Sequence, residues 1–166
     1  MSMIEKVKFS GSVKILSISD NDVEVVVDDT NLTTAKAGEI LARALADYTL
    51  GGSTYTVHKM VLSNLGSDDL TNSPQPVNIE LEDMVGTELE EILITNAEYD
   101  EIEGDDVAMF QATLPKGSAN GKTFTEIGLF TANGDLLAKR HFPSYQKTPE
   151  RELVVLWGIH FQRNEE

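Results

Sequence analysis

The decapeptide ELVVLWGIHF, Glu152–Phe161, sets the hardest condition on the fold. Read as a strand, it places Leu153, Val155, Trp157, Ile159 and Phe161 on one face and Val154, Leu156, Gly158 and His160 on the other. Both faces are apolar through most of its length, so the strand is expected to be central in a sheet, or to be an edge that a partner covers. Trp157, the only tryptophan of the chain, belongs on this reading to the core or to a subunit contact.

Upstream lies FTEIGLFTANGDLLAKRHF, Phe124–Phe142. Asn133-Gly134 inside it is the strongest short-range hairpin signal available, since both central residues of a type I′ turn need positive φ. A turn there puts Glu126 opposite His141 and diagonal to Lys139, and Gly134 is the expected register residue. Glu126 then reads as a surface ion pair fixing register, or as a buried carboxylate at an interface.

The rest of the 166 residues makes one domain of three parts. Residues 1–30 read as a hairpin, VKFSGSVKILSIS and VEVVVDD around the turn SDND. Residues 33–47 read as the one amphipathic helix, with Leu32 and Thr33 as staple and N-cap and Ala37, Ile40, Leu41, Ala44 and Leu45 at helical spacing until LGGS closes the unit. Residues 54–162 form a β-rich body with one long polar loop, NLGSDDLTNSPQPVN, and with ELEEILITNAEYDEI open between a short helix and a strand. The expected fold is mainly β, an antiparallel β-sandwich or flattened barrel with one amphipathic helix as plug or flap.

Charge and composition exclude several functions. With 28 acids against 13 bases the net charge is −15, which repels phosphate backbones, so nucleic acid is not an expected partner. No cysteine is present, which removes disulfides and zinc-thiolate sites. The opening MSMIEKVKFSGSV carries no apolar stretch of signal-peptide type, and the longest apolar run is too short to span a bilayer, so no membrane insertion is expected.

Residues 60–115 contain no Lys or Arg, whereas seven of the 13 bases lie from Lys116 onward. This interval reads as a solvated acidic face, or as a surface meeting Lys139, Arg140, Lys147 or Arg151 of a neighbouring subunit or another protein.

A search for chemistry finds no catalytic, cofactor-binding or metal site. GSANGKT, Gly117–Thr123, has three residues between its glycines where a phosphate loop needs four, and a strand pattern follows it. SDNDVE lacks the turn glycine and the closing glutamate of a calcium loop. His58, His141 and His160 sit in strand patterns without metal-ligand spacing and read as structural. No enzyme and no cofactor are expected.

TEIGLFTANGDLLAKRHF, then Lys147 and ELVVLWGIHF, resembles a pattern in structural proteins of tailed bacteriophages: E-I-G-L-F, a turn with Gly, L-x-A-[KR], and a closing strand of alternating apolar residues. The likeness is to tail-collar fibre, tail-fibre attachment and head-fibre modules. It covers about the last 40 residues, with AKAGEILARAL and VHKMVLSNLGS a looser match ahead of them. PSYQKTPERE departs from the collar-fibre pattern, and no repetitive shaft follows. The resemblance implies a non-enzymatic virion protein, made in the bacterial host cytoplasm, forming a tail, collar or baseplate fibre or adaptor as a symmetric homo-oligomer, with a trimer foremost, beside other virion proteins. A capsid decoration or head-fibre protein is the structural alternative. A small-ligand-binding or enzymatic β-sandwich is the alternative of another class. The motif residues Glu126 to Phe130 are the only positions it transfers.

Overall fold

Alternating apolar and polar residues become eight antiparallel strands and one short helix in the computed structural model, which describes residues 8–47, 54–68, 70–80 and 83–162. The elements are β1 (Lys8–Ile18), β2 (Val23–Thr33), α1 (Ala37–Ala46), β3 (Val57–Ser63), β4 (Glu90–Ile102), β5 (Asp105–Leu114), β6 (Thr123–Thr131), β7 (Leu136–Gln146) and β8 (Glu152–Gln162). They close into a barrel in the order β1-β2-β7-β6-β3-β4-β5-β8, with β8 returning to β1. The architecture is thus the barrel form of the expected mainly β fold. Eight strands leave an interior just wide enough for side chains to fill.

Strand β8 is central, paired with β1 along one side and β5 along the other. Its inward residues Leu153, Val155, Trp157 and Ile159 join Val13, Ile15, Met60, Leu62, Ile127 and Leu129 in the main core. Each aliphatic or aromatic side chain taken out of water there contributes about 1.5–3 kcal/mol. Trp157 is fully buried within the chain, which fixes it in the core, and its indole N–H finds no acceptor.

The chain departs from the sequence expectations at three places. Thr33 does not cap the helix: Leu32 and Thr33 continue β2 by pairing with Lys139 and Ala138, so the ladder claims this backbone first. Helix α1 starts after Lys36 with no side-chain cap, and its buried face holds Ala37 and Ile40 while Leu45 is 90% exposed. The LGGS segment lies outside the described residues. The segment open between helix and strand is strand β4 from Glu90 to Ile102.

The third departure is the hairpin turn. Gly134 has φ +90°, but Asn133 does not share the left-handed region, so the turn is not type I′. The Gly134 N–H donates to the Thr131 carbonyl and the Thr131 N–H to the Asp135 carbonyl, which describes a type I turn followed by a glycine bulge. A further irregularity between Phe130↔Leu136 and Leu129↔Ala138 skips Leu137, and the ladder beyond it pairs Glu126 with His141 as expected.

One junction is much weaker than the rest. Strands β2 and β7 share only the pairs Leu32↔Lys139 and Thr33↔Ala138, leaving a seam in the wall. No helix among the described residues is long and apolar enough to cross a membrane.

Candidate functional site

Strand β6 is buried on both faces, inward by the core and outward by the long connection from β3 to β4. Glu126 occupies an outward position. It stands in one row with Ser63 of β3 and His141 of β7, because both ladders pair these residues directly with it. Its carboxylate is wholly buried.

Five donors converge on that carboxylate. Ser63 Oγ donates to Oε1 at 2.6 Å, His141 Nε2 to Oε2 at 2.8 Å, and the backbone N–H groups of Val85 and Gly86 at 3.0 Å each. The Lys139 ammonium stands 3.1 Å from Oε2 and is 1% exposed. Burial pushes the Glu126 carboxyl up, yet hydrogen bonds from His141, Ser63, Val85 and Gly86 outweigh it and lower the pKa to about 2.

The donors are themselves tied to the connection. His141 Nδ1 donates to the Gln75 carbonyl at 2.8 Å, and Lys139 Nζ to the Asp83 carbonyl at 3.2 Å. Both ring nitrogens of His141 thus lie within hydrogen-bond distance of an oxygen. Further along, Ser67 Oγ donates to the Phe142 carbonyl, the Ser144 N–H to Asn72 Oδ1, and the Gly66 N–H to Thr125 Oγ1. Met84 packs with Val61, Phe130 and Leu136. Gly66 and Gly86 sit where a Cβ would strike the Thr125 carbonyl and Ser63 with the Asn64 carbonyl, so close approach of the connection needs glycine there.

The arrangement holds structure and does not suit acyl transfer. In a nucleophilic triad the imidazole contacts the serine and the carboxylate orients the imidazole. Here Ser63 donates to the carboxylate itself, His141 spends its second nitrogen on a backbone carbonyl, and Ser63 and Glu126 are fully enclosed. Among the described residues no group of three or more His, Asp or Glu is placed to hold a metal ion.

A second constellation, invisible in the sequence, gathers Ser12, His160 and Asp105 on the outside of the barrel. Ser12 Oγ is 3.0 Å from His160 Nε2, and His160 Nδ1 is 3.6 Å from Asp105. Strands β1 and β8 are each paired on both sides, which commits the nearby backbone N–H groups to ladders. The group links the three neighbouring strands β1, β8 and β5.

The remaining expected site residues separate into two kinds. Lys139 and Lys147 are not rim cations: they are 1% and 0% exposed and are used inside the chain. Lys147 Nζ donates to the Lys116 carbonyl, Asn120 Oδ1 and the Thr148 carbonyl at 3.0–3.1 Å, which satisfies all three ammonium hydrogens. Burial pushes its pKa below the ordinary lysine value, with Glu150 pulling the other way. Arg140 pairs with Asp29 at 2.6 Å across the seam, and Arg151 caps the Ser17 carbonyl and pairs with Asp22.

Sequence reasoning placed Glu126 opposite His141 but missed Ser63, Gln75, Asp83, Val85 and Gly86, which the connection and its flanking strand supply. One signal was present: Met84 and Val85 form an apolar pair inside an acidic stretch, as a docking point does. No family model matches the chain, and no curated protein and no solved structure matches it.

Proposed function

We propose that the chain is a non-enzymatic structural protein of a tailed-phage virion, a tail, collar or baseplate fibre or adaptor subunit that assembles as a symmetric oligomer with other virion proteins. The observation that carries this reading is the use made of the motif. Glu126 of E-I-G-L-F binds the β3–β4 connection, Phe130 packs on Met84, and Lys139 of L-x-A-[KR] reaches the Asp83 carbonyl. The residues that carry the resemblance thus serve architecture, which supports a structural role. Oligomerisation through this chain's basic residues needs others than Lys139 and Lys147, which are enclosed.

The test is proteomic and hydrodynamic. Particles purified from a lysate of the host that encodes the chain are expected to contain it in a fixed ratio to the other structural proteins, and the purified chain is expected to have the mass of a small symmetric oligomer. Absence from particles, with a monomeric mass at high concentration, overturns the proposal.

A further inference from the structure

The two strands at the seam end their partnership differently. On β7, the Phe142 carbonyl accepts from Ser67 and the Ser144 N–H donates to Asn72, so the β3–β4 connection takes up backbone groups of this strand. On β2, the only backbone partners of Val23–Asn31 among the described residues are those of β1. Its second edge is open. Beside it, Val26–Asp29 of β2 face Arg140–Pro143 of β7 across a groove of about 160 Å³ with Pro74 at its side.

Three features of this groove point to an occupant. Arg140 lines it and leaves its buried Nε–H without an acceptor among the described residues. Val23 and Val25, on the same open strand, are 60% and 53% exposed, more than a solvated edge usually tolerates. The strand carries Glu24, Asp28 and Asp29 and no base of its own. Lys14 and Arg151 reach Asp28 and Glu24 only at 4.0 Å, and Arg140 takes Asp29 at 2.6 Å.

We infer that the open edge of β2 is a strand-acceptor site for an extended segment of another protein, with apolar and basic side chains in alternation. Backbone pairing supplies the attachment, apolar residues cover Val23 and Val25, and Lys or Arg meets Glu24 and Asp28. A second copy is the poorer occupant, because antiparallel pairing of β2 with itself about Val26 sets Glu24 against Asp28 in a chain of net charge −15. The inference goes beyond the virion reading and stands independently of it.

The probe is a short capped peptide of alternating lysine and valine, with a glutamate–valine peptide as control, added to the full chain while amide hydrogen exchange is followed. The lysine peptide is expected to slow exchange in Val23–Asp29, with the effect fading as salt rises. The double variant Glu24→Lys, Asp28→Lys is expected to bind it about tenfold more weakly, or worse, and to accept the glutamate peptide instead. Equal effects of both peptides on the wild-type chain, or protection confined to other strands, overturn the inference even if the variant does not fold. Protection of the same amides in peptide-free protein, rising with concentration alongside a doubled mass, also overturns it and assigns the edge to a second copy.

Discussion

The two flanks of β7 are opposites. Towards β6 the strand is paired from Leu136 to Gln146, and a buried carboxylate, ammonium and imidazole lie over the ladder under a docked connection. Towards β2 it makes two residue pairs and one part-exposed ion pair, Arg140–Asp29. The contrast shows where buried charge is tolerated. Desolvating ions is costly unless every lone pair and proton finds a partner, and only the β6 flank provides that many. Among the described residues, the β2 flank leaves the Arg140 Nε–H and the second backbone edge of Val23–Asn31 without a partner.

The most damaging way to break the contrast is Glu126→Ala, which leaves Lys139 and His141 enclosed without their acceptor. Removing one partner of a buried pair costs about 3–5 kcal/mol, and the loss is expected in the denaturant midpoint. The same flank has a pH signature. Glu126 has a folded pKa of about 2 against an ordinary 4.5, so its contribution is complete above the unfolded value and is lost as pH falls through about 2. Stability is therefore expected to fall by about 3 kcal/mol on acidification from pH 6 to below 2, and this component is expected to vanish in Glu126→Gln.

Smaller changes sharpen the comparison. Lys147→Met, just past the end of β7, strands the Lys116 and Thr148 carbonyls and is expected to cost about 1–3 kcal/mol by denaturation. Gly134→Val forces a β-branched residue to φ +90° at the turn leading into β7 and is expected to cost about 1 kcal/mol or more, again read from the midpoint. On the open flank, Arg140→Ala removes a pair whose carboxylate is half exposed, and its expected cost is below about 1 kcal/mol. A large loss there would show that Arg140 seals the seam beyond the two residue pairs and the Thr34 bonds to the Leu136 and Leu137 carbonyls.

The sequence revealed most where the signal was local. The two apolar faces of Glu152–Phe161 called for a central strand or a covered edge, of which the first is found, and Asn133-Gly134 located the turn well enough to set Glu126 opposite His141. It misled where tertiary structure overrode local preference. Thr33 resembles a helix cap until β7 is present to pair with it. Lys139 and Lys147 read as surface charges because lysine is so rarely enclosed, and only the folded chain supplies the carboxylate and carbonyl oxygens that enclose them. The connection over Glu126 was hardest to read: its hydrogen bonds come largely from backbone groups, which carry no residue signature.

The central claim is that Glu126 fastens the β3–β4 connection to the barrel. Amide hydrogen exchange at Val85 and Gly86, compared between the wild-type chain and Glu126→Gln, tests it most directly. The account predicts slow exchange at both amides in the wild type and clearly faster exchange in the variant, while the amides of Val155 and Trp157 in β8 stay slow in both. Unchanged protection of Val85 and Gly86 in a folded Glu126→Gln variant would contradict it.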